Sequence, residues 1–232
     1  MVVQNIAENL AGIKEAIRQA CVKSGRDTDT IKLIAVSKNF SGAEIEAAYR
    51  AGQRFFGENR VQELNAKIDL LPPEIEWHFI GTLQRNKVKN LIGKTALIHS
   101  VDSQALAEEI NKQAQKRALL VDVLLQVNIA RETTKHGFEA EKLIEQIEEI
   151  SKLSGIKIKG LMTIAPLVEN PEEARPVFRE LRMLAQTIER MKLPTVEMRE
   201  LSMGMSHDFQ VAVEEGATLV RIGSGIFGRR NY

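Results

Sequence analysis

The sequence predicts an α/β protein built as a single (β/α)8 barrel, a TIM barrel, with an extra helix at its N-terminus. Short β-rich runs alternate with helical runs along the chain, and this alternation is typical of βαβ units in a parallel sheet. Eight units of roughly 25 residues after one extra helix match the arithmetic of the barrel. A length of 232 residues suits one domain of this class, so we expect residues 1–232 to form one domain.

The N-terminal segment is predicted to be the extra helix. Its apolar residues recur at spacings of three and four and therefore share one helical face. They are Val3, Ile6, Leu10, Ile13, Ile17 and Cys21. Cys21 is the single cysteine, so an internal disulfide is excluded, and its place on the apolar face predicts a packed thiol rather than a nucleophile.

Eight segments rich in β-branched and apolar residues are the predicted strands. Several of them are apolar on both faces, as expected for a parallel sheet covered by helices. The segments are 32–37, 54–58, 77–81, 97–101, 121–127, 157–164, 197–202 and 219–223. An open, doubly wound sheet would give the same alternation, and periodicity does not exclude it.

Four helices stand out between these strands. Residues 41–51 begin with Ser41 as N-cap and are followed by Gly52, a typical stop signal. The other three helices are 103–117, 140–153 and 171–191. Because no linker rich in proline, glycine or serine interrupts the pattern, one domain is the economical interpretation.

Charge and composition narrow the function classes. The net charge is +1, so no strong field favours nucleic acid or an anionic membrane. The short basic set Arg85, Lys87, Lys89 and Lys94 is interpreted as a solvated helix face. No basic segment leads into an apolar run at the N-terminus, and no apolar stretch is long enough to cross a bilayer. We therefore expect neither a signal peptide nor a membrane span, and a cytoplasmic location.

The first strand ends at a candidate reactive lysine. In a barrel, functional residues lie at the carboxyl ends of strands, and Lys38 directly follows the apolar run "LIAV" and Ser37. Burial disfavours an ammonium group and lowers its pKa, which makes an amine nucleophilic enough for a Schiff base. The alternative is a solvated lysine at a strand exit.

The loops after strands seven and eight predict a phosphate site. These loops commonly hold phosphate in this fold. Gly223 lets the backbone approach an anion closely, and the hydroxyls of Ser206 and Ser224 can donate to its oxygens. Arg221 lies within strand eight, so its charge is held in place beside them.

Two other kinds of site are not supported. Residues 223–228 fit the pattern G-x-G-x-x-G, but only four residues follow them, whereas a dinucleotide fingerprint needs a helix and a second strand afterwards. The four histidines do not have the spacing of metal ligands. We therefore expect neither a dinucleotide site nor a metal site.

Six segments that span nearly the whole chain form a recognisable set: "AVSK" at 35–38, "FGENRVQE" at 56–63, "WHFIGTLQRNK" at 77–87, "GLMTIAP" at 160–166, "LSMGMSHDF" at 201–209 and "VRIGSGIFG" at 220–228. Together, and in this order, they resemble a known family, the pyridoxal 5'-phosphate (PLP) homeostasis proteins, also called the YggS/PROSC family. This family is similar to the N-terminal barrel of alanine racemase and to fold-type III decarboxylases.

The resemblance implies a role for each matching residue. Lys38 would be the Schiff-base lysine and Arg221 would face the pyridine nitrogen of PLP. The phosphate would be held by Ser206, Gly223 and Ser224, and the site would be lined by Asn59 and Met203. Gly225 departs from the family, where many members carry a small or hydroxyl-bearing residue. The roles of Lys135 and His207 stay open.

Two functions compete at such a site: a non-enzymatic carrier of PLP, which the resemblance implies, and a PLP enzyme such as an amino-acid racemase. An arginine at the ring nitrogen keeps that nitrogen unprotonated, which weakens the cofactor as an electron sink. About nine residues follow strand eight, too few for the second domain of the racemases. We therefore expect a monomeric carrier that takes part in PLP homeostasis, with apo-enzymes that require PLP as candidate recipients.

Overall fold

The computed structural model describes residues 2–132 and 136–228. In this part of the chain, eight parallel strands pair in sequence order and close into a barrel. The strands are β1 (Lys32–Val36), β2 (Phe55–Glu58), β3 (Glu76–Phe79), β4 (Leu97–Val101), β5 (Val121–Gln126), β6 (Ile156–Met162), β7 (Val196–Ser202) and β8 (Leu219–Ile222). β8 pairs with β1, with Ala35 opposite Ile222. This pairing confirms the predicted barrel and excludes the open sheet.

Helices follow the strands on the outside of the barrel. The α-helices of the described residues are α1 (Val2–Ser24), α2 (Gly42–Arg50), α3 (Val61–Ile68), α4 (Gln104–Gln115), α5 (Ala140–Ser151), α6 (Arg175–Arg190), α7 (Phe209–Glu214) and α8 (Ser224–Phe227). Short 3-10 helices cover Thr28–Thr30, Arg85–Asn90 and Pro171–Ala174. None of these helices combines the length and the apolar character needed to cross a membrane.

The predicted helix over 171–191 is divided in the structure. Its first turn is the 3-10 helix Pro171–Ala174, capped by Asn170, whose side-chain oxygen accepts the N–H of Glu172. The α-helix begins after it, with Pro176 in its first turn. A proline without an N–H is tolerated there because first-turn donors have no partner within the helix. The two prolines thus explain the division.

The core has two layers. Inside the barrel, one small cluster joins side chains from five strands: Ile34, Leu97, Leu124, Met162 and Leu219. A second, much larger cluster fills the space between the strands and the surrounding helices. The small cluster closes the barrel interior below its carboxyl-terminal end, and we call that end the mouth.

The extra helix α1 packs against α2, α7 and α8. Its predicted apolar face is buried, with Cys21 fully inside the core; the side chain of Val3 lies outside the described ones. Near its middle, Ile13 packs closely against Gly225, where an added Cβ atom would lie 3.1 Å from the Ile13 side chain. The absence of a side chain at position 225 therefore allows α1 to approach α8.

Candidate functional site

Lys38 lies in a tight turn directly after β1. The N–H of Phe40 donates to the carbonyl of Ser37 at 3.1 Å, so Lys38 and Asn39 are the central residues of the turn. Asn39 has a φ of 65°, a left-handed conformation that asparagine tolerates better than most residues. Lys38 is partly buried, and it emerges at the mouth beside the neighbouring strands β2 and β8.

The predicted phosphate residues meet at the mouth. Ser206 in the loop after β7 and Ser224 at the start of α8 have their hydroxyl oxygens 3.4 Å apart, and both residues are exposed. Gly223 separates β8 from α8 and packs near Val36 of β1. Because β8 pairs with β1, this group of hydroxyls lies next to the strand that leads into Lys38.

A glycine fixes the path of the loop that carries Ser206. Gly204 has a φ of 87°, and an added Cβ atom would lie 2.6 Å from Ala212 and 2.9 Å from Phe209. After this bend, a carboxylate oxygen of Asp208 accepts the N–H of Met205 at 2.6 Å. The loop is therefore held from both sides of Ser206.

Arg221 is a buried cation without an ion-pair partner among the described residues. It is 5 % exposed. Its guanidinium donates to the hydroxyl of Ser202 and to the carbonyl of Thr163, the latter at 2.9 Å. Burial lowers the pKa of Arg221 to about 10, and the nearby carboxylate of Asp208 opposes this shift. Five guanidinium donors exceed these two acceptors, so Arg221 can still donate to a ligand.

Two histidines extend this network below the mouth. His99 Nδ1 lies 2.8 Å from the hydroxyl of Ser202, and His99 Nε2 lies 2.8 Å from Nδ1 of His78. Arg221 can only donate, so the Ser202 hydroxyl accepts from it and has its own proton available for Nδ1 of His99. In that tautomer the proton of His99 lies on Nε2 and points to His78. Burial lowers the pKa of His78 to about 3 and that of His99 well below its ordinary value, so both rings are neutral.

Asn59 lies at the exit of β2 and is partly buried. Its side-chain oxygen is inaccessible to solvent and has no hydrogen-bond partner among the described residues. Gly81 allows the next loop to lie against it, since a Cβ atom there would be 2.3 Å from the Asn59 carbonyl. Asn59 therefore offers an unused acceptor near the predicted site.

The structure does not support Met203 as a lining residue. It is completely buried and belongs to the large outer cluster. Side chains alternate along a strand, so Ser202 faces the barrel interior and Met203 packs towards the helices. A ligand at the mouth would not reach it in this conformation.

Lys135 and His207 are the two residues whose roles were left open. Lys135 lies outside the described residues. His207 is exposed, and its Nε2 lies 3.0 Å from the carbonyl of Glu169, to which it donates. His207 therefore connects the loop after β7 with the segment after β6.

Several residues of this site were not predicted from the sequence. Ser202 and Thr163 were not singled out, although both lie at strand ends and hold Arg221. His78 and His99 were considered only as metal ligands. Side chains alternate between the two faces of a strand. This alternation could have shown that both histidines face the barrel interior just below the mouth.

The fold and site define a barrel protein with a lysine turn and a pair of exposed serine hydroxyls at one mouth. The family model "Alanine racemase, N-terminal domain" matches residues 3–231. The pyridoxal phosphate homeostasis protein of Aquifex aeolicus is 48% identical over 229 residues, which span 98% of this chain and 100% of that protein. The chain belongs to the pyridoxal phosphate homeostasis protein family, within the alanine racemase N-terminal domain class.

Solved structures agree with this assignment. PipY of Synechococcus elongatus, in a structure with PLP bound, has a TM-score of 0.83 and 38% identity, covering 96% of this chain and all of PipY (100%). Alanine racemase of Clostridium difficile has a TM-score of 0.76 at 15% identity, with 99% of this chain covering 58% of the racemase. At that identity the racemase supports the shared fold alone.

Proposed function

We propose that this protein binds PLP at the mouth of its barrel and holds it for release, without turning over a substrate. The observation that carries the proposal is the pairing of β8 with β1, which brings the segment of Gly223 and Ser224 next to the lysine turn. Membership of the pyridoxal phosphate homeostasis family and the PLP-bound structure of the relative PipY support the choice of cofactor.

The residues at the mouth fit this cofactor. The hydroxyls of Ser206 and Ser224, with the backbone at Gly223, would hold its phosphate, because their oxygens already lie together on the exposed surface. Arg221 would donate to the ring nitrogen, since its buried charge has no carboxylate partner among the described residues. Asn59 would contribute its unused acceptor.

Lys38 would make the reversible attachment. PLP supplies an aldehyde that condenses with a primary amine and releases water. The turn Ser37–Lys38–Asn39–Phe40 presents the amine at the edge of the mouth, and the same condensation in reverse frees the cofactor for an apo-enzyme that requires it.

The absence of turnover is the second half of the proposal. The guanidinium of Arg221 keeps a pKa of about 10 although it is buried, so it would donate a hydrogen bond to the ring nitrogen without protonating it. An unprotonated ring withdraws electrons weakly, which favours holding over catalysis. An amino-acid racemase, the competing function, would also need a second base across the substrate.

Borohydride reduction with peptide mapping tests the attachment. We expect purified protein incubated with PLP to become yellow and to carry one pyridoxyl adduct at Lys38 after reduction. The Lys38→Ala variant should stay colourless, while the Lys89→Ala variant, altered at an exposed lysine of the 3-10 helix, should behave like the wild type. A wild type that never forms the adduct would refute PLP binding through Lys38.

A screen of free amino acids tests the absence of turnover. The PLP-loaded protein should neither racemise nor decarboxylate any of them at a steady rate, and it should restore activity to a PLP-requiring apo-enzyme. Sustained turnover that disappears in Lys38→Ala would overturn the carrier function and leave cofactor binding intact.

A further inference from the structure

The turn that carries Lys38 is held from outside the barrel by helix α3. Lys67, near the end of α3, has a side chain that is 12% exposed. Its ammonium donates to the carbonyl of Ser37 at 2.9 Å and to carboxylate oxygens of Glu58 and Glu63, each at 2.7 Å. An ammonium has three protons, so all of them are used. We call Glu58, Glu63 and Lys67 the Lys67 clamp.

The clamp fixes the residue on each side of Lys38. The carboxylate oxygen of Glu58 that contacts Lys67 also accepts the Ser37 hydroxyl at 2.7 Å. The oxygen of Glu63 that contacts Lys67 accepts the backbone N–H of Asn39. Because both neighbours are tied to α3, the backbone direction at Lys38 is determined by residues that lie behind the strand.

The far end of the turn is tied to the anion site. Phe40 stacks on Phe227, with ring centroids 4.6 Å apart, and Phe227 ends the short helix that begins with Ser224. The turn therefore has one anchor on α3 and another on the helix that contributes a phosphate ligand. Together these anchors fix the separation between Lys38 and Ser224.

Burial of the Glu58 carboxylate in the Lys67 clamp costs free energy. The side chain of Glu58 is completely buried, and its second oxygen has no hydrogen-bond partner among the described residues. Burial raises the pKa of Glu58, while the hydrogen bonds from Lys67 and Ser37 oppose this shift. Buried ionic groups of this kind contribute little net stability, and a role in defining geometry is a testable explanation for them.

We propose that Lys67, held by Glu58 and Glu63, is a positioning residue that directs Lys38 towards the mouth. This inference rests on the proposed function, since it concerns how the lysine reaches the cofactor. Among the described residues, the ammonium of Lys67 donates to Glu58, Glu63 and the carbonyl of Ser37, so it acts through the turn. Loss of the clamp should impair attachment at Lys38 and spare the anion site.

Two ligands separate attachment from non-covalent binding. Pyridoxine 5'-phosphate has the ring and phosphate of PLP but an alcohol in place of the aldehyde, so it cannot form the covalent link. In Lys67→Met we expect the affinity for PLP to fall about tenfold, the effect of losing a hydrogen bond to a charged group. The affinity for pyridoxine 5'-phosphate should stay within about twofold of the wild type, because it does not use Lys38.

A control variant and a second pair of variants allow the test even if Lys67→Met destabilises the fold. Lys142→Met removes an exposed lysine of α5 that pairs with Glu139 and should bind both ligands like the wild type. If Lys67→Met does not fold, Glu63→Ala removes the acceptor of the Asn39 N–H and should weaken PLP alone. Glu63→Gln keeps an acceptor oxygen and should restore binding.

The outcomes are distinct. Unchanged PLP affinity in Lys67→Met and Glu63→Ala, or equal weakening of both ligands in these variants, would overturn the positioning role. A wild type that binds pyridoxine 5'-phosphate but forms no adduct with PLP at Lys38 would instead overturn the proposed attachment, and the positioning role with it.

Discussion

Arg221 combines burial, positive charge and the absence of an ion-pair partner in the described part of the chain. A buried cation is expensive unless its donors are satisfied. Ser202 and Thr163 accept two of its donors, and neutral His99 supports Ser202 from below. The other guanidinium donors have no acceptor among the described residues, so a ligand with an acceptor at the mouth would complete the hydrogen bonding of Arg221.

Replacement of Arg221 tests this role. In Arg221→Gln we expect altered absorption of bound PLP and weaker binding, because an amide replaces the cation beside the ring. The free energy of unfolding should change by less than about 2 kcal/mol, since the buried charge disappears together with its hydrogen bonds. Absorption spectra and urea titrations measure the two effects, with the surface variant Arg50→Gln as control. An unchanged cofactor spectrum would remove Arg221 from the site.

At the scale of elements, the start of α2 shows how local signals fix the segment after the lysine turn. The Ser41 hydroxyl accepts the N–H of Glu44 at 3.4 Å, and the Glu44 carboxylate accepts the N–H of Ser41 at 2.7 Å. This capping box and the stop at Gly52, with a φ of 88°, confirm the predicted limits of the helix. Ser103 precedes α4 without a capping hydrogen bond from its side chain.

The two serines form a matched pair for measurement. Ser41→Ala should lower the free energy of unfolding by about 1 kcal/mol, the usual effect of losing a side-chain cap. Ser103→Ala should lower it by much less, because no helix N–H loses its partner. Urea denaturation monitored by circular dichroism gives both values, and equal losses would show that capping does not stabilise α2.

At the scale of the whole molecule, closure of the barrel joins groups from distant strands. His78, His99, Ser202 and Arg221 come from β3, β4, β7 and β8, and their hydrogen bonds cross the barrel interior. Burial lowers the pKa of both histidines. In the unfolded chain each titrates near pH 6.5, so the folded protein binds fewer protons below that pH.

The free energy of unfolding should therefore decrease as the pH decreases. Above about pH 6.5 both histidines are neutral in the folded and unfolded states, and their contribution is fully present. As the pH decreases towards 3, where folded His78 titrates, each histidine should reduce the free energy of unfolding by up to about 1.4 kcal/mol per pH unit. Urea titrations between these limits measure the slope.

Variants isolate the histidine contribution from that of the carboxylates. His99→Gln should make the pH dependence shallower by about one proton, because one titrating group is removed. His207→Gln, altered at an exposed position, should keep the wild-type slope. A slope that His99→Gln leaves unchanged would mean that the buried histidines do not determine the acid sensitivity.

Features that depend on neighbouring residues in the chain could be predicted. The alternation of strands and helices, the cap at Ser41 and the turn residues around Lys38 are encoded within short segments, where side-chain periodicity and backbone preference act directly. The strand limits were predicted to within about two residues. The remaining error arises because residues at a strand exit can continue the strand's side-chain pattern after its hydrogen bonds have ended. The hydroxyls of Ser206 and Ser224 were expected at one place from their residue types, and they lie 3.4 Å apart, while their phosphate role stays a prediction.

Features that depend on register across the barrel could not be predicted. The Lys67 clamp and the histidine network join residues whose contacts exist only after strands and helices have packed. The burial of Met203 in the large outer cluster could not be predicted for the same reason, since its direction depends on how β7 ends against β8. A register shift between β4 and β5 near His99 likewise leaves no local pattern.

The sequence by itself determined the barrel class, the lysine after the first strand and the residue types of the anion site, because these follow from local periodicity and composition. Tertiary structure alone decided the surroundings of Lys38 and Arg221. Closure of β8 onto β1 brings the two ends of the barrel sequence together, and packing of α3 places Lys67 behind the turn. Hydrogen-bond partners of buried polar groups are set by such long-range geometry, which a linear pattern does not contain.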